Sequence, residues 1–298
     1  SRFDGHANLC GQVSNIFPNL SKTLQFAMAL RCLDLAGKVL WGPQTVDTKM
    51  SCKDFRELVA TALGVPLNRV SLVLDSQVLD GLESLEVKGL DGERDVQVLL
   101  GEDLSKEIQQ IQQAIAEADS RISITPGLSN EEVSYLESRY GFCFPPEFRD
   151  FLQAGVPIGG GWPDWHELAS GTIPYGFAKD TVAEQIRWNC TPEGPEELYE
   201  GDWAPPEEKT FEKAVELATK TYPLIPMRGH RCIVTVPHKS GLPVISMHQC
   251  HDNIPYGKNF WEWISTDCKL PEGTVPVEWI EKDEVPWSDV PFWQYWQD

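Results

Sequence analysis

Six histidine and cysteine side chains crowd into 22 residues: His230-Arg-Cys232, then Pro-His238, then Met-His248-Gln-Cys250-His251. Imidazole nitrogens and thiolates are the ligands of tetrahedral zinc. A thiolate beside an imidazole is also a nucleophile with its base. If the flanking runs RCIVTVP and PVISMHQC are adjacent strands, side-chain alternation lets His230 and Cys232 share one face, and His248 and Cys250 share one as well. The residue types suffice for either chemistry. Their spacing, however, matches no finger or knuckle, and none of the eight cysteines forms a C-x-x-C pair. Nothing in it sets a thiolate in a polar cleft. GVPIGGG (155–161) lacks the Lys-Ser/Thr of a phosphate loop and reads as a flexible turn. The sequence therefore assigns no catalytic residue, no metal and no cofactor. An enzyme using metal or Cys/His chemistry on the His230–His251 strands is kept as a second alternative.

The chain has 298 residues, enough for two domains, and a net charge of −20. Residues 102–298 carry 15 basic against 33 acidic side chains, a net of −18, and ten of the 11 tryptophans. Such a surface excludes nucleic acid as a partner, because phosphate binding runs on Lys and Arg. It disfavours an anionic membrane surface too. No stretch approaches the length of a membrane span. The N-terminus lacks a basic region followed by an apolar core, and the scattered cysteines read as reduced thiols, so the expected address is cytoplasmic or nuclear.

The elements follow from periodicity. Residues 1–27 form a poorly defined N-terminal segment. MALRCLDLAGKVLW reads as a hairpin turning at Ala36-Gly37-Lys38. SCKDFRELVATALGVP reads as a helix, with Ser51 as N-cap, Phe55, Leu58, Val59 and Ala62 on one face, and Gly64 and Pro66 as stop. RVSLVLDSQVL and RDVQVLL supply short strands. These pieces (LDLAGK, a helix ending in LGVP, VSLVLDSQVLDG and DVQVLL) resemble a ubiquitin-like β-grasp domain over 28–101. The resemblance implies a protein-binding apolar patch at Leu35, Val73 and Leu99. It also implies that this domain is not a conjugated tag, since Gly101-Glu102 stands where a diglycine terminus would be.

Leu104, Ile108, Ile111 and Ile115 give residues 102–126 a narrow apolar stripe, expected for a linker helix. Ser129 and Glu132 open the next helix with a capping box. FCFPPEFRDFL then makes a helix–Pro-Pro–helix corner, with Arg149 and Asp150 on a solvated face. EEVSYLESRYGFCFPPEFRDFLQAGVPIGGGWPDW looks like the opening of the SUKH superfamily, which holds the fungal cell-wall assembly regulator and bacterial toxin-immunity proteins. The likeness continues in YPLIPMRGHRCIVTVPHKSGLPVISMHQCHDNIPYGKNFWEWI (222–264), where Gly229-His230-Arg231 falls on a family motif. The expected architecture is thus α+β: an N-terminal ubiquitin-like β-grasp, a helical linker, and a C-terminal SUKH α+β domain over 127–298 with an antiparallel meander. The aromatic extension after 264 either packs back on that domain or forms a binding segment.

These resemblances imply a non-enzymatic protein–protein interaction adaptor or regulatory scaffold, with basic or ubiquitin-pathway proteins as partners. Its second surface would be a cleft between the Gly159–Trp165 loop and the strands near His248, with Trp162 and Trp165 as anchors. The first alternative is a toxin-neutralising immunity-type protein that binds a basic nuclease.

Overall fold

The computed structural model describes residues 27–65, 67–75, 77–79, 83–86, 88, 94–101, 103–171, 202–247, 253–281 and 284–295. The chain divides after Gly101 into two compact units.

The first unit is built on one mixed sheet. Strands β1 (Ala27–Leu33) and β2 (Val39–Asp47) form the hairpin, and α1 (Cys52–Leu63) follows. Ser51 starts this helix by accepting the Asp54 N–H at 3.0 Å, which satisfies one of the unpaired donors of the first turn. Strands β3 (Val70–Leu74), β4 (Gln77–Val78) and β5 (Arg94–Leu100) complete the sheet in the order β2-β1-β5-β3-β4. β5 lies parallel to β1, with Leu30 opposite Arg94 and Leu33 opposite Gln97, while it runs antiparallel to β3. One sheet face carries Leu30, Cys32, Leu72, Val96 and Val98, all buried with Phe55 and Val59 of α1. This unit is the hairpin–helix–closing-strand order expected from the sequence.

The second unit is also α+β. Helix α2 (Ser105–Ala118) leads to strand β6 (Ser123–Thr125), helices α3 (Asn130–Tyr140) and α4 (Pro146–Ala154) follow, and β7 (Val156–Ile158), antiparallel to β6, precedes helix α5 (Trp165–Ser170). After α6 (Phe211–Glu216), an antiparallel meander runs β8 (Leu224–Arg228), β9 (Arg231–Val234), β10 (Val244–Met247) and β11 (Asn253–Gly257), in consecutive order. Helices α7 (Phe260–Asp267) and α8 (Val277–Glu281) close the unit.

Three expectations need correction here. α2 is not a linker: Ile108, Ile111 and Ile115 are buried in the core of the second unit. Between them the fully buried Gln112 donates its amide to the carbonyls of Phe151 and Gly155, each at 2.7 Å. These carbonyls close the end of α4, where the Phe151 oxygen also accepts the Gly155 N–H at 3.3 Å. Arg149 is not solvated either. It lies 5% exposed, with its guanidinium 3.8 Å from the buried carboxylate of Glu137, whose other oxygen accepts the Phe144 N–H at 2.8 Å. Nor is the glycine run a loose turn. At Gly159 (φ +85°) a β-carbon would sit 2.2 Å from the Arg121 carbonyl oxygen, so glycine is needed for both the backbone angle and the close approach.

The C-terminal aromatic segment packs back: Val290, Phe292 and Trp293 are buried. The Trp293 indole N–H donates to the Tyr222 carbonyl at 2.8 Å, and Phe292 stacks on Tyr222 at 5.8 Å.

Two outcomes are expected from this packing. Ile111→Ala should lower the stability of the second unit by about 2–5 kcal/mol, the usual range for a buried Ile, when urea unfolding is followed by tryptophan fluorescence. Gly159→Ala should destabilise the same transition, because its β-carbon has nowhere to go. A wild-type midpoint for Ile111→Ala would mean that α2 is a linker after all.

Candidate functional site

The open face of the first unit's sheet is read off its register. Val39 lies opposite Leu33, Leu33 opposite Gln97, Gln97 opposite Val73, and Val73 opposite Val78. Side chains directly opposite one another point to the same face, so these five residues form one row across all five strands. Val39 is 46% exposed, Val78 51%, and Leu33 and Val73 are half-buried. Leu99 follows Gln97 by two on the same strand and face, and is partly exposed. Leu35 lies just past β1, at the Leu99 end of the row, and is 75% exposed. The turn there is held by the Asp34 carboxylate, which accepts the N–H groups of Ala36 and Lys38, both at 2.9 Å. That turn presents Leu35 instead of letting it fold onto the sheet. Beside the row, Arg31 and Asp95 form a two-pronged ion pair at 2.7 and 2.9 Å.

Val73 and Leu99 therefore lie on one face beside Gln97, and Leu35 stands exposed in the turn after β1. Sequence reasoning missed Leu33, Val39, Gln97 and Val78. Their signal was strand register, which an unpaired sequence does not display.

A hairpin, a helix on one face, and a closing strand parallel to the first in the middle of a β2-β1-β5-β3-β4 sheet make a particular topology. The first unit has the β-grasp fold seen in ubiquitin-like domains. Solved structures similar to it include the UBL domain of yeast Ddi1, 22% identical over 26% of this chain and 92% of that one, with a TM-score of 0.24. The UBL domain of Plasmodium falciparum Dsk2 is 16% identical over 26% of this chain and all of that one, with a TM-score of 0.23. The C-terminal ubiquitin-like domain of human 2'-5'-oligoadenylate synthetase-like protein is 11% identical over 27% of this chain and 91% of that one, with a TM-score of 0.24. No protein-family model matches the chain. No curated protein matches it either.

The second unit does not present the anchors expected of it. Trp162 and Trp165 are 6% and 1% exposed, so neither is available to a partner. Trp162 stacks on Phe151 at 5.7 Å, and Trp165 meets Phe144 and Phe148 edge-on at 5.3 and 6.0 Å. The reason is apolar area: an indole buries more surface than almost any other side chain, and here the α4 face is the surface to cover. The loop that carries Trp162 is clamped from below. Arg228 donates to the Gly160 carbonyl at 3.0 Å and to Asp119 at 3.0 Å, and the Gly229 N–H donates to the Gly161 carbonyl at 2.9 Å. Hydrogen bonds from the Arg121 side chain and backbone, with Arg228 adding its charge, hold the Asp119 carboxyl down at about 2. His248 lies outside the described residues, as do Cys250 and His251.

Of the strand cluster, His230, Cys232 and His238 lie among the described residues, and Cys232 is buried between Ile245 and Pro226 on the neighbouring strands. Burial pushes its thiol up to about 12, away from the thiolate that nucleophilic or zinc chemistry requires. Among the described residues no group of three His, Cys, Asp or Glu side chains is placed to hold a metal ion. No helix among them is long and apolar enough to cross a membrane.

Core and surface roles separate in a melting experiment. Trp165→Ala should destabilise by about 3–5 kcal/mol, as large aromatic truncations in cores do. Leu35→Ala should stay within about 0.5 kcal/mol of wild type, as surface changes do. Equal effects would contradict the assignment of Leu35 to an open surface.

Proposed function

We propose that the chain is a non-enzymatic protein-interaction adaptor in which a ubiquitin-like unit, not itself conjugated, is joined to a SUKH domain. The observation that carries this reading is the row Val39–Leu33–Gln97–Val73–Val78, with Leu35 and Leu99 beside it. A sheet face that leaves apolar side chains at least partly in water on both sides of a single polar residue supports a binding role. The chain continues past Leu100 and Gly101 into α2, which belongs to the core of the second unit. That continuity leaves no free terminus for isopeptide bond formation and supports binding as the role of the ubiquitin-like unit.

For residues 127–298, the SUKH reading is supported by the motifs quoted above and by the four-stranded antiparallel meander over 224–257. The partners proposed are proteins: basic ones are favoured by the charge of −18 on residues 102–298, and ubiquitin-pathway ones by the ubiquitin-like unit. The thiols of Cys32, Cys52, Cys143, Cys232 and Cys268, which are not joined in disulfides, favour the cytoplasm or nucleus as the working compartment. The same acidity supports the toxin-neutralising reading, in which a basic nuclease is the ligand.

Capture from cell lysate by the full-length chain, compared with its Val73→Asp and Val78→Asp variants by quantitative mass spectrometry, tests the adaptor reading. Both variants should lose the same set of proteins while melting as the wild type does. Unchanged partners would overturn the role of the sheet face. Partners retained by both variants but released between 50 mM and 500 mM salt would instead belong to the acidic surface, since screening weakens exposed charge contacts.

A further inference from the structure

We propose that His166 is a proton-operated latch that fastens α5 to the head of α3 and to the chain leaving β6. The argument is one of donors and acceptors. His166 Nδ1 lies 2.8 Å from the Glu132 carboxylate, and Nε2 lies 2.8 Å from the Pro126 carbonyl oxygen. Both partners are acceptors only, so both ring nitrogens must carry protons, and the ring that fits is the imidazolium. The neutral ring has one N–H. When it gives its second proton to solvent, one of the two contacts becomes a lone pair facing a lone pair, and that side of the latch opens.

The carboxylate is itself held in place. Glu132 Oε2 accepts the Ser129 N–H at 2.8 Å, and the Ser129 hydroxyl accepts the Glu132 N–H at 3.1 Å, closing the capping box of α3. His166 thus grips a fixed point. The charged groups facing it are Glu132 from α3 and Asp164 from the N-cap of its own helix, both negative, and the Pro126 carbonyl dipole comes from the segment between β6 and α3. Burial opposes the charged ring, but the hydrogen bonds to Glu132 and Pro126 and the two carboxylates outweigh it, so the pKa stands above the ordinary histidine value. A group whose pKa is raised by folding contributes its full stabilisation below the unfolded value, near 6.5, and loses it as pH rises through the folded value. The latch is therefore closed in mild acid and opens on the alkaline side. What it loosens is the grip of α5 on α3 and on the chain leaving β6, while Trp165 and Leu168 keep the helix on the core. This proposal is independent of the adaptor reading.

The test is made on the full-length protein. Long-range proton–nitrogen spectra of the histidine rings should show His166 protonated on both nitrogens at pH 6.5, with a titration midpoint above that of an ordinary histidine. Hydrogen exchange of the α5 amides, corrected for intrinsic rates, should lose protection by up to about tenfold per pH unit between about 6.5 and that midpoint, then level off. Glu132→Gln keeps a residue suited to the capping box but drops the charge, so the midpoint should move down and the loss of protection should follow it. A His166 ring carrying one proton at pH 6.5 would overturn the proposal. So would α5 protection that ignores the titration of the ring.

Discussion

The second unit depends on the packing of two rings, Phe148 and Phe151, on one face of a nine-residue helix, α4. Phe148 touches Phe144, Trp165 and Phe260, and Phe151 touches Trp162, Phe260 and Trp261, with centroids 5.2–6.5 Å apart. Those contacts reach the Pro-Pro corner before α4, the glycine loop and α5 after it, and α7 more than 100 residues later in the chain. Such edge-on and offset arrangements add about 0.5–1.5 kcal/mol per pair beyond burial. A helix so short would not persist alone. Its apolar face is held by rings, its last carbonyls by the Gln112 amide, and its polar flank by the Arg149–Glu137 pair. Gly155 lets this happen, because a β-carbon there would come 2.5 Å from the Gln112 side-chain oxygen.

The two units handle apolar surface in opposite ways. The second covers most of its tryptophans: of those described, Trp162, Trp165, Trp261, Trp263 and Trp293 are buried, and Trp203, Trp279 and Trp287 are half-buried. The first leaves one side of its sheet covered by α1 and the other side open. On the open side Gln97 interrupts the apolar row at its centre, and the Arg31–Asp95 pair borders it. A polar residue inside an apolar row limits what can dock there, since any partner must answer its amide or leave it unpaired at a cost of about 1–3 kcal/mol. The row therefore has a chemical register as well as an apolar one.

Much of this fold was legible in the sequence, where local rules decide. The Ser51 cap, the Ser129–Glu132 box, the turn at Gly37 and the proline corner each state their geometry within four or five residues. What was not legible required knowing what lies across the gap. The α2 stripe could be read, but its burial in the core could not, because Gln112 looks like any solvent-facing glutamine until the end of α4 comes opposite. Trp162 and Trp165 suit a core or a binding hot spot equally well by type. Val39 and Val78 join a surface row only once five strands are in register. Arg149 looks like a charge bound for water, and its burial goes with that of Glu137, twelve residues earlier, beside the corner.

The central pair of the first sheet joins the beginning of that unit to its end. Arg31 and Asp95, which face each other across β1 and β5, are 64 residues apart in sequence. Neither inner strand can find its partner until nearly the whole unit exists, and pairing over such a span carries the entropy of closing the largest available loop. On a ribosome, the hairpin and α1 must wait, with the apolar side of β1 uncovered, until β5 has been made. The apolar row shares those strands, so a growing chain offers it to other proteins only as a finished sheet.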